Sequence, residues 1–586
     1  MGRLHRPTCL AALALLLTVP FLLPHHYNPI PTFFQEWTAA LLSLVALTWL
    51  LRPAPDGRVE FPEIGLLPLG LLALALLQLV LPSGAIPERV LMLALYLIWA
   101  SLMAVLGRRL ANDLGHTALA DLMAAALLAG ALIEGLTGAL QASGIGRLPW
   151  IFVGPAGGLR GNVGQPNNFA DYLWLGVASC IYLRCRDRLS SPFAAAALAV
   201  LVPLSLLSGS RSVWFYGGAL ALLGQTWMGR HPDAAHRRLR TWAWTALALA
   251  VLSQGLLEAI PDLRIATAGG RLSASGAYDP VRTALWSVAW TTFREHPLLG
   301  AGFGQYTREF LDHVLELMPR WLPGLPEHAH NLILNLMAEL GAGAALLTIG
   351  LGLRWALDLW RREADAALWW VAATATIVGI HALLEYPLWY GFFLAPAALV
   401  AGAISRGRPL DLGLRVPWLV GGIAVLGSIA LLTLRADYAL LEDTANGRLP
   451  PETSPGAALT RVAGQPLLRP YVDLAAASLM DDSPKDLEAK RQTCGRALRF
   501  SASREIVFKC AYIQLLDGDP DGAQILLQRA VAAYPEYAAK VLARWRERAP
   551  QEPLLALLVQ RFPPIFASKA PEISAGGFPP ALPARH

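Results

Sequence analysis

Apolar residues in this chain come in runs of roughly 17–25, parted by short polar breaks, which is the length a helix needs to cross a bilayer. Runs near 8–24, 35–51, 64–82, 90–107, 117–141, 167–184, 192–208, 212–229, 241–258, 331–352, 366–383, 387–404 and 416–434 predict about thirteen transmembrane helices. Alternate loops carry Arg52/Arg58, Arg108/Arg109, Arg184/Arg186/Arg188, Arg230/Arg237/Arg238/Arg240, Arg354/Arg361/Arg362 and Arg406/Arg408/Arg415, whereas the intervening short loops hold only Arg89, Arg147, Arg160 and Arg211. By the positive-inside rule the first set and the N-terminus are cytoplasmic. The second set, with everything after the last run, faces outward. Arg3 and Arg6 before the first run leave a cleaved signal peptide open, but the polar loop 24–35 and the run directly after it favour a retained helix.

The pattern divides the chain into a transmembrane bundle (1–257), a long outward loop (258–327), further transmembrane helices (328–434), an outward helical tail (435–562) and a Pro/Ala/Gly-rich end expected to be disordered (563–586). The expected fold class is therefore an all-α polytopic integral membrane protein. Within the long loop, Arg282 to Glu295 puts Leu285, Val288, Ala289 and Thr292 on one helical face, with Trp286 and Trp290 on its flank. That predicts a helix lying on the membrane or on the bundle. Gly300-Ala301-Gly302-Phe303-Gly304 lacks the Lys-Ser/Thr of a P-loop and reads as a tight turn approaching a neighbouring helix. In the tail, Gly518-Asp519-Pro520 enters a helix with Ala523, Leu526, Leu527, Ala530 and Val531 on one side, a pattern like a tetratricopeptide hairpin.

Composition narrows the class. With 586 residues, 55% hydrophobic and 15% charged, this is not a soluble enzyme. The +6 charge is a topology signal; with no Lys before Lys485 and no basic stripe, no nucleic-acid partner is expected. Membrane lipids are the evident surroundings. Cys9, Cys180, Cys185, Cys494 and Cys510 show no CxxC pair, so no zinc site is expected; Cys494 and Cys510 could form a disulfide in an outward tail or stay as buried thiols.

Candidate chemistry gathers at the outward ends. Arg160 to Asn168 packs four amide side chains between two apolar runs, which is costly near hydrocarbon unless they have partners. Gln165, Asn167 and Asn168 suit sugar hydroxyls or phosphate oxygens. Arg211 can hold an anionic headgroup through two parallel hydrogen bonds or serve as an interfacial anchor, and with Arg282 could clamp a pyrophosphate. His330 could accept a proton from an attacking hydroxyl; His328 could do so instead, or both could cap a helix. A metal reading of the His-x-His pair lacks a third ligand. Tyr386 and Tyr390 are candidates for substrate contact or belt anchors. Glu134, Glu339 and His381 lie inside apolar runs and must face protein or water.

Taken together, GNVGQPNNFADYL, SGSRSVW, the RTALWSVAW…HPLLGAGFGQY loop, HAHNLILNLMAELG and EYPLWYGFFL resemble the bacterial O-oligosaccharyltransferases of the pilin-glycosylation ligase type, within the O-antigen ligase and polymerase superfamily. The family's His-Asn, nine residues, Gly spacing runs from His330 to Gly341 and departs at Ala344. The resemblance implies a glycosyltransferase without cofactor or metal, in a bacterial inner membrane, with its active site and tail periplasmic. It would move a preassembled glycan from undecaprenyl pyrophosphate to Ser or Thr of a pilin-like periplasmic acceptor. Arg211 and Arg282 would hold the pyrophosphate, His330 would orient or deprotonate the acceptor, and Gln165 with a tyrosine of EYPLWY would position donor or acceptor. Competing readings are an O-antigen ligase or polymerase, a lipid transporter and an assembly scaffold; a transporter would show inverted repeats, which the sequence lacks.

Overall fold

In the computed structural model, which describes residues 5–52, 58–144, 148–154, 158–260, 267–275, 280–317, 324–410 and 415–560, each of the thirteen apolar runs is centred on helix. The first run is broken: α1 (His5–Leu16) gives way to α2 (Val19–Leu22), where Pro20 cannot continue a helix already under way. Then follow α3 (Phe33–Leu47), α4 (Leu66–Val80), α5 (Pro87–Leu114), α6 (His116–Ala142), α7 (Pro166–Cys185), α8 (Ser191–Leu207), α9 (Ser212–Arg230) and α10 (Ala234–Glu258). The long loop contributes α11 (Ala268–Ser275), α12 (Pro280–Glu295) and α13 (Tyr306–Leu317), and the remaining runs form α14 (Leu332–Arg361), α15 (Ala366–Leu384), α16 (Gly391–Ile404) and α17 (Arg415–Ala445). Seven helices among the described residues are long and apolar enough to cross a membrane, with two shorter apolar ones at Ser191–Leu207 and Gly391–Ile404. The chain is a helical membrane protein. Arg3, Arg147 and the 563–586 end lie outside the described residues.

One small element is added to the all-α fold. β1 (Val59–Pro62) and β2 (Gly407–Leu410) pair antiparallel, Val59 opposite Leu410 and Pro62 opposite Gly407. Four-residue strands in polar loops carry too few side chains to announce themselves by alternation. Their pairing joins two of the Arg-rich loops, and ion pairs at the same end extend the join. Arg354 meets Glu63 at 2.8 Å, Arg406 meets Asp358 at 2.8 Å, and Arg238 meets Asp187 at 2.7 Å. Each such exposed pair adds little stability. What they establish is that the basic loops share one end of the bundle.

The sparsely charged loops meet at the other end. Gly84 N donates to Ala301 O (3.1 Å), Leu159 N to Leu207 O (2.9 Å) and His26 Nε2 to Asn162 O (2.7 Å). Within the bundle, α5 and α16 approach closely because both are glycine at the crossing: a Cβ on Gly107 would lie 2.0 Å from Leu399 O, and one on Gly402 2.1 Å from Ala104 O. Where lipid removes the hydrophobic drive between helices, such backbone contact supplies the packing.

The tail is a succession of packed helices, α18 (Pro455–Val462), α19 (Arg469–Leu479), α20 (Leu487–Phe500), α21 (Arg504–Leu516), α22 (Pro520–Ala533), α23 (Pro535–Arg548) and α24 (Pro553–Gln560). Ala523, Leu527 and Ala530 are buried in its core as their spacing predicts, with Leu526 and Val531 packed at its edge. A disulfide between Cys494 and Cys510 ties α20 to α21, with Cα atoms 5.5 Å apart. Closing a loop of 16 residues stabilises by about 3 kcal/mol. Cys510→Ala is expected to destabilise the tail by that amount, seen as a lower thermal midpoint that wild-type protein reproduces only under reducing agent.

The tail docks on the sparsely charged end of the bundle. Arg89, at the start of α5, stacks on Phe500 and donates to its carbonyl, and the Tyr534 hydroxyl bridges Leu325 N and Ala502 O. Beneath it, α12 buries Leu285, Val288, Ala289 and Thr292 and leaves Trp286 and Trp290 exposed, the stripe its sequence predicts.

Candidate active site

Two membrane-embedded carboxyls shape the turns around the site. Glu134 on α6 accepts from Val163 N (2.8 Å) and from Thr137 Oγ1 (3.1 Å), so it pins the amide-rich turn before α7. Glu339 on α14 accepts from Gly304 N (2.9 Å), Tyr306 N (3.2 Å) and Asn335 Nδ2 (2.9 Å), and so pins the glycine turn. That turn is the close approach its glycines suggest: Gly302 has φ +110°, and a Cβ there would lie 2.3 Å from Ala85 N. Asn162 is equally committed, accepting from Phe152 N and donating to Leu22 O and Trp150 O. Gln165 caps α7 by accepting from Asn168 N at 2.6 Å, and Asn168 is buried. Of the amide cluster, Asn167 is the member that reaches across the bundle.

It reaches Glu385. This residue ends α15 and is buried, and three others converge on its carboxylate. Asn167 Nδ2 donates to Oε1 at 2.8 Å, Arg282 Nη2 lies 3.6 Å from Oε1, and His330 Nδ1 lies 2.9 Å from Oε2. A carboxylate that accepts from Nδ1–H fixes the imidazole tautomer and leaves Nε2 as the acceptor. The backbone contributes as well. His330 sits at φ 49°, in the left-handed region that costs a non-glycine residue energy. Asn331 holds it there by capping α14 at Leu334 N (3.1 Å) and donating to Leu383 O (3.1 Å), close to Glu385 in sequence.

Around the dyad lies an aromatic shell. The ring of Tyr386 stands 5.2 Å from that of His330, 4.6 Å from that of His328 and 5.7 Å from that of Tyr390. Burial, and next the Glu385 charge, pushes the Tyr386 hydroxyl up to about 12, so it is a hydrogen-bond donor at neutral pH. His328 also faces Trp389 at 5.0 Å, and burial followed by repulsion from Arg89 and His330 pushes it down to about 3. His328 is thus neutral throughout the physiological range, and of the two histidines His330 alone pairs with the Glu385 carboxylate. Trp389 also walls an apolar cavity of about 410 Å³ with Leu93, Phe303, Leu332, Leu336 and Phe392.

Arg211, at the start of α9, belongs to a second group. Desolvation and then the Arg211 charge lower Arg271 on α11, and desolvation and then Arg271 lower Arg160. Arg211 and Arg160 are thus each within electrostatic reach of Arg271 at the dyad's end of the bundle. Sequence reasoning missed Arg271 and, more consequentially, Glu385. The signal for Glu385 was an ionisable residue at the tip of an apolar hairpin, but the reading went to the tyrosines beside it. At the Arg-rich end, away from the dyad, His231, Asp233 and His236 bring possible metal-ligand atoms within 4.8 Å of one another.

Comparison with known proteins gives the resemblance. Residues 193–349 match the O-Antigen ligase family, a stretch that includes Arg211, Arg282 and His330. Residues 369–547 match the family described as Virulence factor membrane-bound polymerase, C-terminal, which includes Glu385, Tyr386 and Tyr390. The "General O-oligosaccharyltransferase" of Acinetobacter baylyi is 26% identical over 441 residues, 73% of this chain and 75% of its own. By these matches the chain is similar to the O-oligosaccharyltransferases of the O-antigen ligase superfamily. A second relative from the same organism, the "ComP-specific O-oligosaccharyltransferase", is 22% identical over 250 residues, 42% of this chain and 43% of its own. The chain is accordingly a transferase enzyme. Its His330–Glu385 dyad is built from both matched segments, one carrying each partner.

Proposed function

We propose that the enzyme moves a preassembled glycan en bloc from undecaprenyl pyrophosphate to a Ser or Thr hydroxyl of a pilin or another periplasmic protein, at the outward face of a bacterial inner membrane crossed thirteen times. The observation that carries the reading is the His330 imidazole held 2.9 Å from Glu385 beside Arg282. In this reading Nε2 takes the acceptor hydroxyl's proton as its oxygen bonds the anomeric carbon. The carbon–phosphate-oxygen bond breaks, and the pair leaves on the pyrophosphate. Glu385 stabilises the imidazolium, while Arg282 and the Arg211–Arg271–Arg160 group offset the charge growing on phosphate. A pyrophosphate leaves readily, so positive charge and position are the main requirements. Gln165, Asn167, Asn168, Tyr386, Tyr390 and His328 would line the donor and acceptor positions, and the apolar cavity walled by Trp389 suits the donor's lipid. The Cys494–Cys510 bond favours an oxidising compartment for the tail, whose helices we read as tetratricopeptide-like.

The test is reconstitution. Purified protein with lipid-linked glycan is expected to glycosylate a pilin-like acceptor and to leave lipid A-core unmodified; the reverse outcome makes it an O-antigen ligase. His330→Ala is expected to lower transfer by about 10²–10⁴-fold, with membrane insertion intact. Near-wild-type glycosylation by that variant would remove the assigned base.

A further inference from the structure

Directly beneath the dyad lies a pair that the reaction as described does not use. Asp171 on α7 and His381 on α15 are each 0% exposed, and Asp171 Oδ1 stands 3.4 Å from His381 Nδ1. They repeat the contact above them one helical turn deeper. Asn167 and Asp171 are four residues apart on α7, as are His381 and Glu385 on α15, so the two helices carry a ladder of two polar rungs. The upper rung is Asn167–Glu385 and the lower is Asp171–His381. The rungs share backbone as well, since Glu385 N donates to His381 O at 2.7 Å. A third helix joins the lower rung: Tyr216 on α9, also 0% exposed, turns its hydroxyl toward Asp171 and Ser212. Ser212 follows Arg211 directly.

This arrangement is expensive. None of the Asp171 carboxylate oxygens, His381 ring nitrogens or the Tyr216 hydroxyl has a well-aligned hydrogen-bond partner among the described residues, although groups this deep are normally fully bonded. Well-packed apolar residues of similar volume often serve as well as a buried ion pair, or better, in holding helices together. An ionisable pair kept at this depth points to function. We infer that Asp171, His381 and Tyr216 are positioning residues, which set the rotamer of Glu385 from below and couple it to the start of the Arg211 helix. The role in transfer rests on the proposed function; the positioning of Glu385 and His330 does not.

The deciding variant is the double replacement Asp171→Leu/His381→Leu, which leaves no lone buried charge, with Tyr216→Phe as a milder companion that removes one hydroxyl. His330 reactivity is read without substrate, by diethylpyrocarbonate labelling and peptide mass spectrometry, on protein shown to be folded by its thermal midpoint. The double variant is expected to label faster at His330. Its kcat should fall at least about tenfold with donor KM within about twofold, the signature of an interaction felt in the transition state. Tyr216→Phe, which removes the hydroxyl turned toward Asp171, should lower kcat less than the double variant, by roughly 2–10-fold. Wild-type labelling and kcat in a folded double variant would overturn the inference and make the pair a helix contact only. A wild-type protein that transfers no glycan, with the labelling difference intact, would instead sink the proposed reaction and sustain the positioning role.

Discussion

Glu385→Gln is expected to lower the single-turnover rate of glycan transfer by about 10²–10⁴-fold while donor binding changes little. Three side chains meet this carboxylate, and the amide serves each differently. Toward His330 Nδ1 it offers one acceptor oxygen but also an N–H₂, which favours the tautomer that places the hydrogen on Nε2, where the incoming hydroxyl needs an acceptor. Toward Arg282 it removes the counter-charge. Only the Asn167 contact has a ready substitute. The measurement is a rapid-mixing assay with lipid-linked glycan and saturating acceptor, paired with direct donor binding. A Gln variant within threefold of wild type would show that Glu385 merely anchors the hairpin, and the dyad would lose its catalytic meaning.

How much of this was legible beforehand depends on the distance over which each feature is decided. A transmembrane helix is a local property: about twenty apolar residues in sequence suffice, and all thirteen runs are centred on helix. The stripe of Leu285, Val288, Ala289 and Thr292 was equally local, and those residues are buried. The grouping of loops into two ends followed from arginine counts alone, and the β1–β2 pairing and its neighbouring ion pairs show the Arg-rich set meeting at one end. The geometry of the candidate site is another matter. Glu385 acquires its role only when α7, α12 and the loop before α14 deliver Asn167, Arg282 and His330 from positions 218, 103 and 55 residues away in sequence (385 − 167, 385 − 282 and 385 − 330). No periodicity encodes that meeting. Likewise the amide cluster looked like one ligand-binding rim, yet Asn162 and Gln165 turn to backbone and hold the turn itself. Polar residues at a membrane edge must be satisfied, and the sequence does not say whether by ligand or by neighbouring chain.

The arginine group yields the second large effect. Arg271→Ala and Arg211→Ala are each expected to reduce kcat/KM for the lipid-linked donor by about 10–100-fold, the worth of one charge-assisted hydrogen bond to phosphate. Lysine should restore only part of this, because it keeps the charge but not the forked donor geometry. The stability side gives an independent check. Arg271 is lowered first by desolvation and then by Arg211, and in turn lowers Arg160, so the three charges are within electrostatic reach of a shared anion. Adding pyrophosphate should raise the midpoint of wild-type protein and leave that of Arg271→Ala nearly unmoved, because a ligand stabilises in proportion to its affinity for the folded state. Equal pyrophosphate shifts in both proteins, together with unchanged kcat/KM, would remove Arg271 from the donor site and leave the phosphate charge to Arg211 and Arg282.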